Sequence, residues 1–203
     1  MFISFEGLDG SGKTTQITLL SERLSASGHD VVFLREPGGT AISEKIREIL
    51  LDKKHLGMDE TTELFLFSAA RAQVVSEVIR PALADRKVVL ADRYVDSTTA
   101  YQGYGRGLSM EAIRSINRAA TQGVMPRVTF FIDLELDELA RRKHQAGADA
   151  DRMELSGREF YEKVRRGYLE MASAEPARFI VIDGAQSLET IHDEIWRAVS
   201  ALI

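Results

Sequence analysis

The 203-residue chain contains no cysteine. That excludes disulfide staples, thiolate catalysis and cysteine-ligated metal centres, and it is compatible with a reducing compartment. Long apolar runs are missing as well. No window approaches the roughly 18 uninterrupted apolar residues of a membrane-spanning helix, and the N-terminus lacks a basic region followed by an apolar stretch. The chain therefore reads as a cytoplasmic, non-membrane protein. An excess of positive charge is also absent: 26 basic against 31 acidic residues leave a formal net charge of −5. Binding of a nucleic acid polymer is disfavoured on that balance, and any phosphate site must gather its cations locally. The four histidines, His29, His55, His144 and His192, show no metal-ligand spacing, and no Ser-His-Asp order is present. Repeats, low-complexity tracts and linkers are lacking too. What remains, 44% hydrophobic and 28% charged residues, suits one globular domain with a sizeable core.

Against these absences stands one dense stretch. Gly7-Leu8-Asp9-Gly10-Ser11-Gly12-Lys13-Thr14 fits the spacing G-x-x-x-x-G-K-[ST], follows the apolar run Met1–Phe5 and precedes a helix-like run from Thr15 to Ala26. In a phosphate-binding P-loop the glycines let backbone N–H groups turn inward onto phosphate oxygens. The lysine neutralises β/γ charge, and the Thr14 hydroxyl can hold Mg²⁺. A Gly-rich turn with a solvated lysine is the bland alternative.

Apolar, β-rich runs recur at Phe2–Phe5, Val31–Leu34, Val88–Ala91, Val128–Ile132 and Phe179–Ile182, separated by segments of helical spacing. The alternation predicts an α/β, three-layer fold: a sheet of about five parallel strands with helices on both faces. In the last helix Leu188, Ile191, Ile195, Val199 and Leu202 recur at core spacing after the N-cap Ser187. A helix from about Glu60 to Leu83 is expected to break near Pro81, and another covers Ser109 to Thr121.

Charged residues cluster where strands end, and in an open parallel sheet that edge faces the ligand crevice. Arg35-Glu36-Pro37-Gly38-Gly39-Thr40 follows the second strand. Asp92-Arg93-Tyr94 follows the third, with Asp92 suited to a Walker-B-like place near Mg²⁺ and Arg93 to clamping a phosphate; an Asp–Arg ion pair is the structural alternative. Phe67 and Arg71 share a helix face and could stack a base and bond its edge, although a Phe within Leu64-Phe65-Leu66-Phe67 is by default core. The run from Arg141 to Arg152 starts basic and becomes small and polar, reading either as a solvated helix end or as a mobile cationic lid, about residues 142–154.

Four of these stretches, GLDGSGKTT at Gly7–Thr15, REPGGT at Arg35–Thr40, FSAAR at Phe67–Arg71 and DRYVDSTTAYQG at Asp92–Gly103, resemble the thymidylate kinase family in identity and order, and the similarity runs from Phe2 to about Ile203. The resemblance implies transfer of the ATP γ-phosphoryl to thymidine monophosphate (dTMP), with Mg²⁺ accompanying ATP and a homodimer as the usual assembly. It places ATP on Gly7, Leu8, Asp9, Gly10, Ser11, Gly12, Lys13, Thr14 and Thr15, with Ala185 and Gln186 near adenine, and the metal on Thr14 and Asp92. Asp9 looks like the carboxylate for the acceptor's sugar 3′-hydroxyl. Glu36 and Pro37 should line the acceptor pocket, with the 36–37 peptide a candidate for the cis form. Phe67 should stack on thymine, Arg71 should contact its edge, Thr98, Tyr101 and Gln102 should close the site, and Arg93 should bind the acceptor phosphate. Lys13 and Arg93 are thus expected to be catalytic. Because residues 9–11 hold no arginine, the chain looks like the subtype with a catalytic arginine in its lid; Arg152 matches best, with Arg142 and Lys143 as further candidates. Another nucleoside or nucleotide kinase of this fold is the nearest rival. A nucleotide-binding switch is the more distant one, and no Asn-Lys-x-Asp guanine-reading motif supports it.

Overall fold

A computed structural model describes residues 1–146 and 152–203. Five parallel strands, β1 (Phe2–Glu6), β2 (Val31–Arg35), β3 (Val88–Asp92), β4 (Val128–Asp133) and β5 (Phe179–Asp183), form one sheet in the order β2-β3-β1-β4-β5. From central β1 the chain crosses to the edge strand β2, returns to β3 beside β1, and then continues on the other side of β1 through β4 to β5, so the ligand crevice opens at the carboxyl end of β1. Each strand runs one residue beyond its apolar run and ends in a charge: Glu6, Arg35, Asp92, Asp133 and Asp183.

Both faces are covered, as near-continuous apolar strands require. On one face, α1 (Lys13–Ala26) and α9 (Leu188–Ser200) bring Ile17, Leu20, Ile191, Ile195 and Val199 against Phe5, Leu90 and Phe130. On the other, Val74, Val75, Ile79 and Ala82 meet Phe2, Val89 and Ala91, while Val164, Tyr168 and Met171 of α8 (Arg158–Ala174) meet Phe131. Leu188 and Leu202, assigned to the core by spacing, are 44% and 40% exposed: one starts α9 and the other lies past its last turn, so both overhang the sheet.

The remaining helices are α2 (Ala41–Leu51), α3 (Glu60–Val74), α4 (Arg80–Ala84), α5 (Val95–Thr98), α6 (Met110–Thr121) and α7 (Leu136–Ala146). The expected break near Pro81 is absent. A π-helical segment, Val75–Ile79, joins α3 to α4, and the Arg80 N–H reaches five residues back to the Val75 carbonyl. The wider turn resets the hydrogen-bond register just before Pro81, whose missing N–H would otherwise interrupt it. Among the described residues no helix is long and apolar enough to cross a membrane.

Candidate active site

The P-loop lies between β1 and α1. Gly7 has φ +142°, and a Cβ there would lie 2.6 Å from the Ile132 carbonyl oxygen and 2.9 Å from Ser11 Oγ, so no side chain fits. Gly12, at φ +99°, precedes α1, whose first turn has neither a side-chain cap nor an acid. Those N–H groups are left for an anion. Lys13 is buried; its Nζ donates to the Leu8 carbonyl at 3.0 Å and lies 3.9 Å from Asp9. Burial and Arg93 push the Lys13 ammonium down to about 8, against the pull of Asp9 and Asp92. The buried Ser11 hydroxyl has no partner. Thr14 Oγ1 donates to Asp92 Oδ2 at 2.6 Å, which sets a hydroxyl and a carboxylate oxygen side by side, the hard-donor chemistry that suits Mg²⁺.

All the residues assigned by sequence to the acceptor line one cavity of about 270 Å³ that opens onto Asp9. The Glu36–Pro37 peptide is cis. Arg71, 2% exposed, donates from Nε to Glu36 at 2.8 Å, from Nη1 to Thr98 at 2.6 Å and from Nη2 to the Tyr94 carbonyl at 3.0 Å. A guanidinium has five N–H donors, so two remain for whatever occupies the cavity. Glu36 Oε1 is buried without a partner, and burial lifts the carboxyl to about 7 despite Arg71. Phe67 is half-buried at the cavity wall, as stacking on a base requires. Arg93 donates to Asp9 Oδ1 at 2.7 Å and lies over the Tyr101 ring at 5.0 Å. Although burial opposes it, Arg93 and Lys13 hold the Asp9 carboxyl well below the usual range.

A second, smaller cavity also borders the P-loop. At about 220 Å³, it lies between the P-loop, Gln186 and Arg142; Gln16 Nε2 bonds the Leu188 carbonyl at 3.0 Å, joining α1 to the start of α9. Thr15 and Gln186 line it, while Ala185 borders a neighbouring hollow beside Asp133 and Glu138.

The three cations Arg142, Lys143 and Arg152 lie in different places. Arg152 does not reach the P-loop: it is 5% exposed, its Nη2 is 2.7 Å from Glu63 Oε2, and its Nε bonds the Leu50 carbonyl. A carboxylate already buried on α3 captures the guanidinium, making Arg152 a tether between α2, α3 and the segment that leads into α8. Arg142 lines the second cavity, bonding Glu138 at 2.9 Å and the Gly184 carbonyl at 3.0 Å. Lys143 also lies beside the P-loop; its Cγ is 3.7 Å from where a Gly10 Cβ would sit, and its charge helps depress Asp9. Residues 147–151, within the expected lid, lie outside the described residues.

Sequence reasoning missed Glu6, Glu63 and Arg47. Glu63 receives Gln102 Nε2 at 3.0 Å and Arg106 at 3.1 Å, and Arg47 lines the acceptor cavity while donating to the Pro37 carbonyl at 3.0 Å. A charge closing the apolar run of β1 was a usable signal for Glu6. Nothing local distinguishes Glu63 from the exposed acids of a helix start.

A sequence model of the family described as thymidylate kinase matches residues 5–195. Curated thymidylate kinases of Pelodictyon phaeoclathratiforme and Kosmotoga olearia are each 50% identical to this chain, over 96% of it and 93% of their own length. The crystal structure of thymidylate kinase from Ehrlichia chaffeensis superposes with a TM-score of 0.80 at 38% identity, covering 98% of both chains.

Proposed function

Because the chain belongs to the thymidylate kinase family, we propose that it transfers the γ-phosphoryl group of ATP to dTMP, forming the diphosphate. The observation that carries this reading is a cavity of nucleoside size that meets the P-loop at Asp9, with Arg71 and Phe67 at its base end and Arg93 at its P-loop end. In this reading Phe67 stacks on thymine, the two spare N–H groups of Arg71 meet the base edge, and Thr98, Tyr101 and Gln102 close the pocket. Asp9 takes the sugar hydroxyl, and Arg93 the acceptor phosphate.

The acceptor is already an anion, so no general base is needed; the task is to bring two polyanions into line. Lys13 and the amides of residues 10–15 hold the donor phosphates. Arg142 and Gln186 border the adenine end, next to Ala185. Arg152 is engaged by Glu63, whereas Arg142 and Lys143 both stand near the P-loop and add positive charge to it. Thr14 and Asp92 would hold Mg²⁺, which would neutralise phosphate charge there. A lid spanning about residues 142–154 excludes water, which would otherwise compete as acceptor.

The assembly proposed is a homodimer acting on free nucleotides in the cytoplasm. Ile42 and Ile49 on α2 and Phe65 on α3, which packs against α2, are 55%, 44% and 55% exposed and supply an apolar surface for a second copy. Sedimentation of the full chain tests that part. The activity is tested by following ATP consumption with dTMP, with thymidine and with neither. The expected result is stimulation by the monophosphate alone. Stimulation by thymidine would indicate a nucleoside kinase, and no stimulation by either would indicate a nucleotide-binding switch.

A further inference from the structure

Glu6 closes β1 directly before the P-loop and is 0% exposed. Both its oxygens are filled: Oε1 accepts from the Ser4 hydroxyl at 3.1 Å and the Tyr94 N–H at 2.7 Å, and Oε2 accepts from the Ser97 hydroxyl at 2.6 Å and the Tyr168 hydroxyl at 2.8 Å. Such a buried group costs much solvation, and nothing in the phosphoryl transfer uses it directly. Its partners nevertheless surround one residue. Arg93 has φ +72°, a left-handed backbone disfavoured for any side chain with a Cβ. The strain is held from both sides by β1: the Arg93 N–H donates to the Phe5 carbonyl at 2.9 Å, and the following N–H, of Tyr94, donates to Glu6. The side chain is guided as well. The Ser97 hydroxyl that gives its hydrogen to Glu6 accepts Arg93 Nη1 at 3.3 Å, while Arg93 Nη2 takes Asp9 at 2.7 Å.

We propose that Glu6 is a positioning residue: it locks the strained Arg93 corner and the orientation of the Ser97 hydroxyl, so that the guanidinium stands ready for the acceptor's phosphate. The inference rests on the reading of Arg93 as that phosphate's clamp. Glu6 never touches the nucleotide. Because Arg93 also holds Asp9, the effect of Glu6 should fall mainly on ligands bearing the phosphate and only weakly on the sugar contact, a selectivity that a general support of the fold would not produce. The carboxylate is suited to this because it accepts only; a side chain able to donate would let the two hydroxyls at Oε2 turn round.

The test is Glu6→Gln, which keeps shape and one oxygen but places an amide N–H₂ against Ser97 and Tyr168. Calorimetric titration of the full-length protein with dTMP and with thymidine, alongside Arg93→Met, separates the outcomes. Expected is a loss of about tenfold in dTMP affinity for Glu6→Gln, the scale of one hydrogen bond to a charged group, with a much smaller loss for thymidine. Arg93→Met should show the same selectivity more strongly, and the double variant should lose nothing beyond Arg93→Met. Equal weakening of both ligands by Glu6→Gln, or of neither, overturns the proposal while leaving the clamp intact. If Arg93→Met does not discriminate the ligands, the clamp reading falls and the proposal with it. Should Glu6→Gln fail to fold, Tyr168→Phe removes one of the four bonds while its ring keeps its stack on Phe131 at 4.8 Å; a selective loss of dTMP affinity is again expected, and an unselective one overturns the role.

Discussion

On the acceptor side of the P-loop, Arg71, Glu36, Arg93 and Asp9 are bound to one another or to neighbouring walls before any ligand arrives. On the donor side the groove offers bare backbone at Gly12, an uncapped start of α1, the Lys13 ammonium and the guanidinium of Arg142. The difference matches what each ligand demands. Phosphates are alike in every nucleotide and can be held by peptide dipoles, whereas one base must be told from another, which takes side chains whose direction is set in advance. The acceptor wall should therefore fail by losing order, and the donor wall by losing charge.

The strongest blow to the donor side is Lys13→Ala. Turnover should drop by about 10²–10³-fold, the scale of losing a preorganised charge-stabilising donor, with far-UV circular dichroism unchanged. Turnover close to that of the parent protein would remove the lysine from the chemistry.

Glu36 probes the acceptor wall through pH. Its carboxyl is lifted from 4.5 to about 7 in the fold. Between those values the unfolded chain has released the proton and the folded one keeps it. The group's contribution to stability is thus complete below about 4.5 and is lost as pH rises through 7. Denaturant melts at pH 5 and pH 8 should show Glu36→Gln removing a loss of up to about 3 kcal/mol across that window. Identical pH slopes in both proteins would show that Arg71 keeps Glu36 ionised throughout.

Arg152→Ala sharpens the division between order and charge. Removing a buried partner of Glu63, which keeps Arg106 and Gln102, should cost about 1–3 kcal/mol in stability while turnover changes less than about tenfold. A collapse in turnover at unchanged stability would return this arginine to the phosphoryl group.

The smallest effect is expected from Arg142→Ala. KM for ATP should rise a few-fold, about 1 kcal/mol, and KM for dTMP should stay constant, because this side chain borders only the donor cavity. A change confined to dTMP would erase the proposed boundary between the two sides.

The sheet was legible because each strand is a β-rich apolar run, buried throughout in β1 and β3 and partly exposed only at the edges, as at Phe33 of β2 and Val181 of β5; the residues that meet in one cavity were legible because they sit in four compact motifs. What escaped depends on contacts that no local spacing encodes. Arg152 reads as a lid cation until Glu63, far away in the sequence, is brought to 2.7 Å from it. Glu6 reads as a strand end until Tyr94, Ser97 and Tyr168 close around it. The reset before Pro81 was hidden because a proline announces a missing donor without saying that a wider turn upstream will absorb it.

That wider turn sets how the chain length can change. Each residue of an α-helix adds about 100° of rotation, so a deletion within regular helix turns everything beyond it by that angle. The π turn holds one residue more than an α turn, so removing one residue between Val75 and Ile79 would restore an ordinary helix and leave α3 and α4 facing much as they do now. Ala82 could then keep its place against the sheet while Arg71 kept Glu36 and Phe67 kept the cavity wall. A one-residue deletion here should be tolerated better than one in the middle of α3.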